Sequence, residues 1–185
     1  MRFNHRFFGV LCALLFVACP QIASAVDTVE CSRLKLKLQG FDREQKCLTK
    51  NVNITSLGVS GGKNEIIIFR FEGGGGAVSW SKVNPNSYLS VVGIEDFFAK
   101  IDDVVSKSDP QMSDVYGYQY IETTRAFDDK QVGCNYFLKY AGYSKGSGRT
   151  QQVYGQYCDG RAPRVTKENF ETFLGTISID DAEFR

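Results

Sequence analysis

Six cysteines, one histidine and 21 carboxylates are the side chains in this sequence best suited to bind a metal, attack a substrate or carry a proton. Their spacing removes most of those options. Residues 1–25 read as an export signal, and His5, Cys12 and Cys19 all fall inside it. What remains has Cys31, Cys47, Cys134 and Cys158 and no histidine. Ser-His and Cys-His catalysis are therefore excluded for the exported chain, together with the commonest metal ligand. No Cys-x-x-Cys pair is present to cycle a disulfide, and the spacings do not suit a zinc shell. No metal and no cofactor is expected.

Carboxylates, tyrosines and one serine–lysine pair are left. Ser79-Trp80-Ser81-Lys82 has Ser-x-x-Lys spacing, but that nucleophile needs its serine at the start of a helix. The residues around it are extended in pattern and Pro85 follows, so Ser79 is not expected to be catalytic. Gly73-Gly74-Gly75-Gly76 lacks the Gly-Lys-Ser/Thr of a phosphate loop and opens no helix; it reads as a flexible hairpin tip. Adjacent acids occur at Glu95/Asp96, Asp102/Asp103, Asp128/Asp129 and Asp180/Asp181. A glycosidase needs two carboxylates facing across a cleft, which spacing along the chain does not supply. A carboxylate-dependent hydrolase of an envelope polymer is thus a second reading, with no catalytic residue assigned.

The regional bias lies elsewhere. Eight of nine tyrosines fall between Tyr116 and Tyr157, and the span from Arg125 to Lys167 has eight basic and three acidic residues. Exposed tyrosines interleaved with cations make a binding surface for sugars, peptides or anionic polymers. The leading expectation is a non-catalytic exported protein, periplasmic or secreted, that uses this basic C-terminal sheet. Its partner would be an envelope polysaccharide or a cell-surface or extracellular protein, and no nucleic acid. Tyr143, Lys145, Arg149, Tyr154 and Arg161 are the expected contact residues. A third reading is an envelope structural or assembly factor.

The elements that would position these residues follow from pattern. Arg2, His5 and Arg6 precede 13 uncharged residues from Phe7 to Cys19, and Ala23-Ser24-Ala25 supplies a cleavage pattern. That run is too short to span a bilayer, which takes roughly 20 residues, and the exported chain contains no other candidate. Residues 26–185 then form a single domain. Cys31 and Cys47 flank Gly40, and Cys134 and Cys158 flank Gly146, so each pair is expected to staple a hairpin, Cys31–Cys47 and Cys134–Cys158. Opposing Cys134 with Cys158 sets Tyr136 against Gln156, Leu138 against Tyr154 and Tyr140 against Gln152. Leu34, Leu36 and Leu38 alternate with charged residues as in a strand. Ile94, Phe97, Phe98, Ile101, Val104 and Val105 have helical spacing and predict a helix over 94–107 packed on the sheet of Ile66 and Ile68. A final helix is expected over 167–177, capped by Thr166, before a frayed tail. The fold class is α+β: a mainly antiparallel sheet with two disulfide-stapled hairpins, one central helix and one C-terminal helix.

Overall fold

Cys134 and Cys158 face each other on neighbouring antiparallel strands, with the register their spacing requires: Tyr136 opposite Gln156, Leu138 opposite Tyr154, Tyr140 opposite Gln152. The computed structural model describes residues 26–51, 62–84, 88–101, 103–127, 130–142, 148–182 and 184. The expected export signal, the Pro85 and Asp128-Asp129 turns and the tip at Gly146 lie outside the described residues. In chain order the elements are β1 (Val26–Val29), a 3-10 turn (Cys31–Arg33), β2 (Leu36–Leu38), β3 (Glu44–Asn51), β4 (Gly62–Phe71), β5 (Gly74–Val83), α1 (Ile94–Phe97) and β6 (Val104–Lys107). There follow β7 (Gln111–Met112), β8 (Gln119–Phe127), β9 (Lys130–Ala141), β10 (Gln151–Asp159), α2 (Lys167–Thr176) and β11 (Ile177–Ile179). The protein is mostly β rather than α+β, with two helices among the described residues.

Nine strands form one sheet in the order β1-β3-β4-β5-β10-β9-β8-β6, and β7 also pairs with β8. It consists of two three-stranded meanders, β3–β4–β5 and β8–β9–β10, joined by antiparallel pairing of β5 with β10. The sheet is covered unequally. On one face α2 brings Phe170, Phe173 and Leu174, and β2 brings Leu36 and Leu38, onto Ile67, Phe69, Val78, Trp80, Phe137, Val153 and Tyr157. The other face carries a smaller cluster of Ile121, Tyr136, Leu138 and the Cys134–Cys158 bridge beneath Ile94, Phe97, Phe98 and Ile101.

The Cys31–Cys47 bond forms, but it does not staple a hairpin. Leu34, Leu36 and Leu38 are buried as their alternation requires, yet β2 pairs with β11 and not with β3. Cys31 sits in the turn after β1, and Cys47 lies opposite Val29 of β1, so the bond ties the first strand to the sheet. What holds β2 over the first face is Glu65, which is fully buried. One carboxylate oxygen accepts the Lys35 and Leu36 backbone N–H groups at 2.7 and 2.9 Å, and the other pairs with Lys63 Nζ at 2.7 Å. A buried carboxylate with three such donors is fully satisfied.

The helix expected over 94–107 is one turn long. The chain turns at Asp103, whose φ of 60° is a left-handed conformation that aspartate tolerates. Val104 and Val105 then join β6, where Val104 pairs with Arg125 on the edge of β8 and Val105 sits at a shift of register. β-branched residues favour that pleated setting over a helix. Phe97 and Ile101 pack above β8, β9 and β10, while Ile68 on the same sheet face is 38% exposed. The glycine run also differs from expectation. Glu72-Gly73 is the tip, and Gly74 to Gly76 are paired residues of β5 on which the Phe69 and Phe71 rings lie. Ser79 and Lys82 point to opposite faces of β5, so no serine–lysine pair forms. Nor is the tail wholly frayed: Asp181 accepts from Lys82 Nζ at 2.8 Å, Lys35 Nζ at 3.2 Å and Gln151 Nε2 at 3.2 Å. Gln151 in turn accepts from the buried Trp80 indole at 2.9 Å.

This core ranks two phenylalanines. Phe173 is 3% exposed and contacts the Phe41, Phe69, Phe137 and Tyr157 rings, whereas Phe97 is half-buried. Chemical denaturation should show a loss of about 3–5 kcal/mol for Phe173→Ala and a distinctly smaller loss for Phe97→Ala. Equal losses would contradict the unequal covering of the two faces.

Candidate binding cleft

Of the five residues expected to make contacts, the three that are described do not form one patch. Tyr143 and Lys145 lie outside the described residues. Arg149 precedes β10, where its carbonyl accepts the Leu89 N–H at 2.6 Å. Tyr154 is half-buried on the α1 side of the sheet, with its ring 4.9 Å from Phe97 and its hydroxyl 3.4 Å from Asn64 Nδ2. Arg161 follows β10 at the far end of that strand, whose 9 residues span roughly 27 Å at about 3.4 Å per residue. Half of the eight described tyrosines, Tyr118, Tyr120, Tyr136 and Tyr157, are buried, and desolvation pushes each of their phenols above the ordinary range.

Arg161 does stand at a cleft. The β4–β5 tip, the end of β10, the 40–43 loop and α2 meet around two adjoining hollows of about 310 and 220 Å³. Both are lined by Phe41, Arg43, Tyr157 and Arg161. The floor is aromatic. The Tyr157 ring stacks on Phe71 at 5.5 Å and lies 4.7 Å from Phe173, and Phe41 stands edge-on to Phe69 at 5.0 Å. Such offset and edge-on pairs are the favoured arrangements of aromatic rings.

The rim is polar and balanced in sign. Arg161 holds Asp159 in a bidentate pair, Nε to Oδ1 at 2.8 Å and Nη2 to Oδ2 at 2.6 Å, and its own N–H donates to Oδ1 at 3.0 Å. Gly73, at φ 79°, gives the Arg161 stem room to lie across the hairpin tip, where a Cβ would come within 2.8 Å of it. The Arg161 hydrogen bond holds the Asp159 carboxyl below its usual range, and Asp159 raises the Arg161 guanidinium. Burial foremost, helped by Asp159, raises the Tyr157 phenol, while Arg161 and Arg43 oppose the rise. Tyr157 is therefore neutral at pH 7 and able to donate. Among the described residues its hydroxyl has no hydrogen-bond partner and Arg43 has no ion pair. Asp42 lines the larger hollow and Glu72 the smaller.

Chemically, this cleft can stack a ring and hydrogen-bond hydroxyl groups in both senses. Asp159 is shifted away from the raised pKa that a general acid requires. Among the described residues no group of three or more histidine, cysteine or acidic side chains could hold a metal ion. Sequence reasoning missed Phe41, Arg43 and Tyr157, since Phe41 and Arg43 stand in an irregular loop with no periodicity. No family model matches the chain, and neither a curated protein nor a solved structure does.

The Arg161–Asp159 pair has a measurable signature. Because the folded-state pKa of Asp159 is depressed, its stabilising effect is present above the unfolded value of about 3.9 and is lost as pH falls through the lower folded value. An NMR titration should place the Asp159 carboxyl below the ordinary range and return it toward that range in Arg161→Gln. An unmoved titration would mean the bidentate pair does not persist in solution.

Proposed function

We propose that this protein is an exported, non-catalytic carbohydrate-binding protein that takes a neutral sugar unit of an envelope or extracellular polysaccharide in the cleft of Phe41, Arg43, Tyr157 and Arg161. The observation that carries this reading is an aromatic floor rimmed by hydrogen-bonding groups of both signs. Pyranose rings offer an apolar face for stacking and a girdle of hydroxyls that both donate and accept. Arg43 and the Tyr157 hydroxyl supply donors, and Asp42 and Glu72 supply acceptors. The balanced rim favours a neutral glycan over the anionic polymers suggested by the regional excess of basic residues. Export is supported by the signal-like residues 1–25 and by two disulfides, which persist in oxidising compartments. Among the described residues no helix is long and apolar enough to cross a membrane.

Binding of the mature protein to a panel of neutral and acidic oligosaccharides tests this. A neutral glycan should bind, and Arg43→Ala should weaken it about tenfold, a typical loss for a hydrogen bond made by a charged group. Tyr157→Phe, which keeps the ring, should weaken it about fivefold. Neither change should shift the denaturation midpoint much. Preference for acidic glycans, or affinity indifferent to both substitutions, would overturn the assignment.

A further inference from the structure

A second cavity, of about 220 Å³, shares no lining residue with the aromatic cleft. It lies one strand further on, across the same sheet face. Asn135 of β9 is opposite Tyr157 on one side and opposite Glu122 of β8 on the other. Thr124 is opposite both Gly133 of β9 and Ser106 of β6. The segment after β10 roofs this region. The Ala162 carbonyl accepts the Gly133 N–H at 2.9 Å, Thr124 Oγ1 donates to the Pro163 carbonyl at 2.9 Å, and a Cβ on Gly133 would strike the Arg164 backbone. The cavity between roof and sheet is lined by Asn135, Glu122, Lys107, Arg164, Ser108 and neighbouring residues.

Asn135 is the anomaly. It is 1% exposed, and neither its amide nitrogen nor its amide oxygen has a protein partner. A buried amide left unpaired costs about 1–3 kcal/mol, and nearly all buried polar groups are satisfied. This side chain thus brings two donors and an acceptor to the cavity wall. Glu122, directly opposite, has its Cβ about 4.5–5.5 Å away. Arg164 has no ion pair among the described residues, whereas Lys107, opposite Thr123, turns to the other sheet face and stands 3.7 Å from Glu95 of α1. One guanidinium and one carboxylate, those of Arg164 and Glu122, are available to the space, with no aromatic ring and Val165 as the one apolar residue. A sugar would find nothing to stack on. The volume is below the roughly 300–1,000 Å³ of drug-sized pockets.

We propose that this cavity binds a small zwitterionic α-amino acid. Arg164 takes the α-carboxylate, Glu122 takes the ammonium, and the Asn135 amide bridges the two groups. The two opposite charges match those of the zwitterion.

Calorimetry with L-aspartate, L-alanine and N-acetyl-L-aspartate as probes tests this on the mature protein, alongside the Asn135 side-chain amide resonance. Aspartate and alanine should both bind saturably. The N-acetyl compound, which lacks the ammonium, should bind at least tenfold more weakly, and the Asn135 amide should shift on aspartate addition. Arg164→Ala, on an exposed side chain, should weaken aspartate at least tenfold with an unchanged denaturation midpoint. Asn135→Leu should abolish binding while leaving stability equal or higher, an outcome that separates a ligand-facing amide from a structural one. If Asn135→Leu fails to fold, the amide shift and Arg164→Ala decide. No saturable binding of either amino acid up to about 10 mM would overturn the proposal. So would an unmoved Asn135 amide, binding indifferent to Arg164→Ala, or N-acetyl-L-aspartate binding as well as aspartate.

Discussion

The pairing of β5 with β10 makes one sheet out of two meanders, and glycine is what allows it. A Cβ on Gly76 would strike the Gln156 carbonyl and come within 2.7 Å of the Phe69 ring. One on Gly155 would strike the Ala77 carbonyl and come within 2.8 Å of Phe137, and one on Gly74 would strike the Phe71 ring. The rings occupy the space that side chains would fill, an aromatic covering of glycine in a sheet. Glycine weakens a strand interior by roughly 0.5–1 kcal/mol relative to alanine, so the rings must more than offset that. They do so by forming the bed on which Phe170 and Phe173 of α2 settle. The aromatic cleft is the open end of the same bed.

Two further constraints hold the layers in place. The Cys134–Cys158 bridge joins adjacent strands on the α1 side, near the end of β10 from which Asp159 and Arg161 project. On the α2 side, Glu65 and Asp181 fasten the β2–β11 ribbon through charged hydrogen bonds. Removing one member of such a partly buried network leaves its partners unsatisfied, which costs more than the net value of the intact pair. The 160–164 segment divides the first face into two neighbouring but chemically distinct spaces, one floored by aromatic rings and one walled by an amide and charges.

Some of this was legible in the sequence and some was not, for physical reasons that differ by residue. The β9–β10 register follows from Cys134 and Cys158, because a disulfide between directly opposed strand residues leaves no freedom of slip. The alternation of Leu34, Leu36 and Leu38 correctly marked an inward face, but periodicity does not name a partner, and the partner is the distant β11. Helical spacing from Ile94 to Val105 misled because the same positions contain adjacent valines that an open sheet edge can recruit. The glycine run reads as slack chain in the sequence, since the rings that require it, Phe69 and Phe71, are brought to it by tertiary packing. Tyrosine enrichment does not by itself mark a surface, because Tyr118, Tyr120, Tyr136 and Tyr157 are buried. Of the contact residues expected, Arg161 stands in the candidate cleft, and Asn135 carried no local signal at all.

Replacing Gly76 by alanine and measuring the denaturant midpoint tests the glycine join most directly. In an unconstrained strand interior this change should stabilise slightly, by roughly 0.5–1 kcal/mol. The join described here reverses that sign, because the new methyl overpacks against Phe69 and the β10 backbone, and predicts a loss of at least about 1–3 kcal/mol. A midpoint equal to or higher than that of the unaltered protein would contradict it.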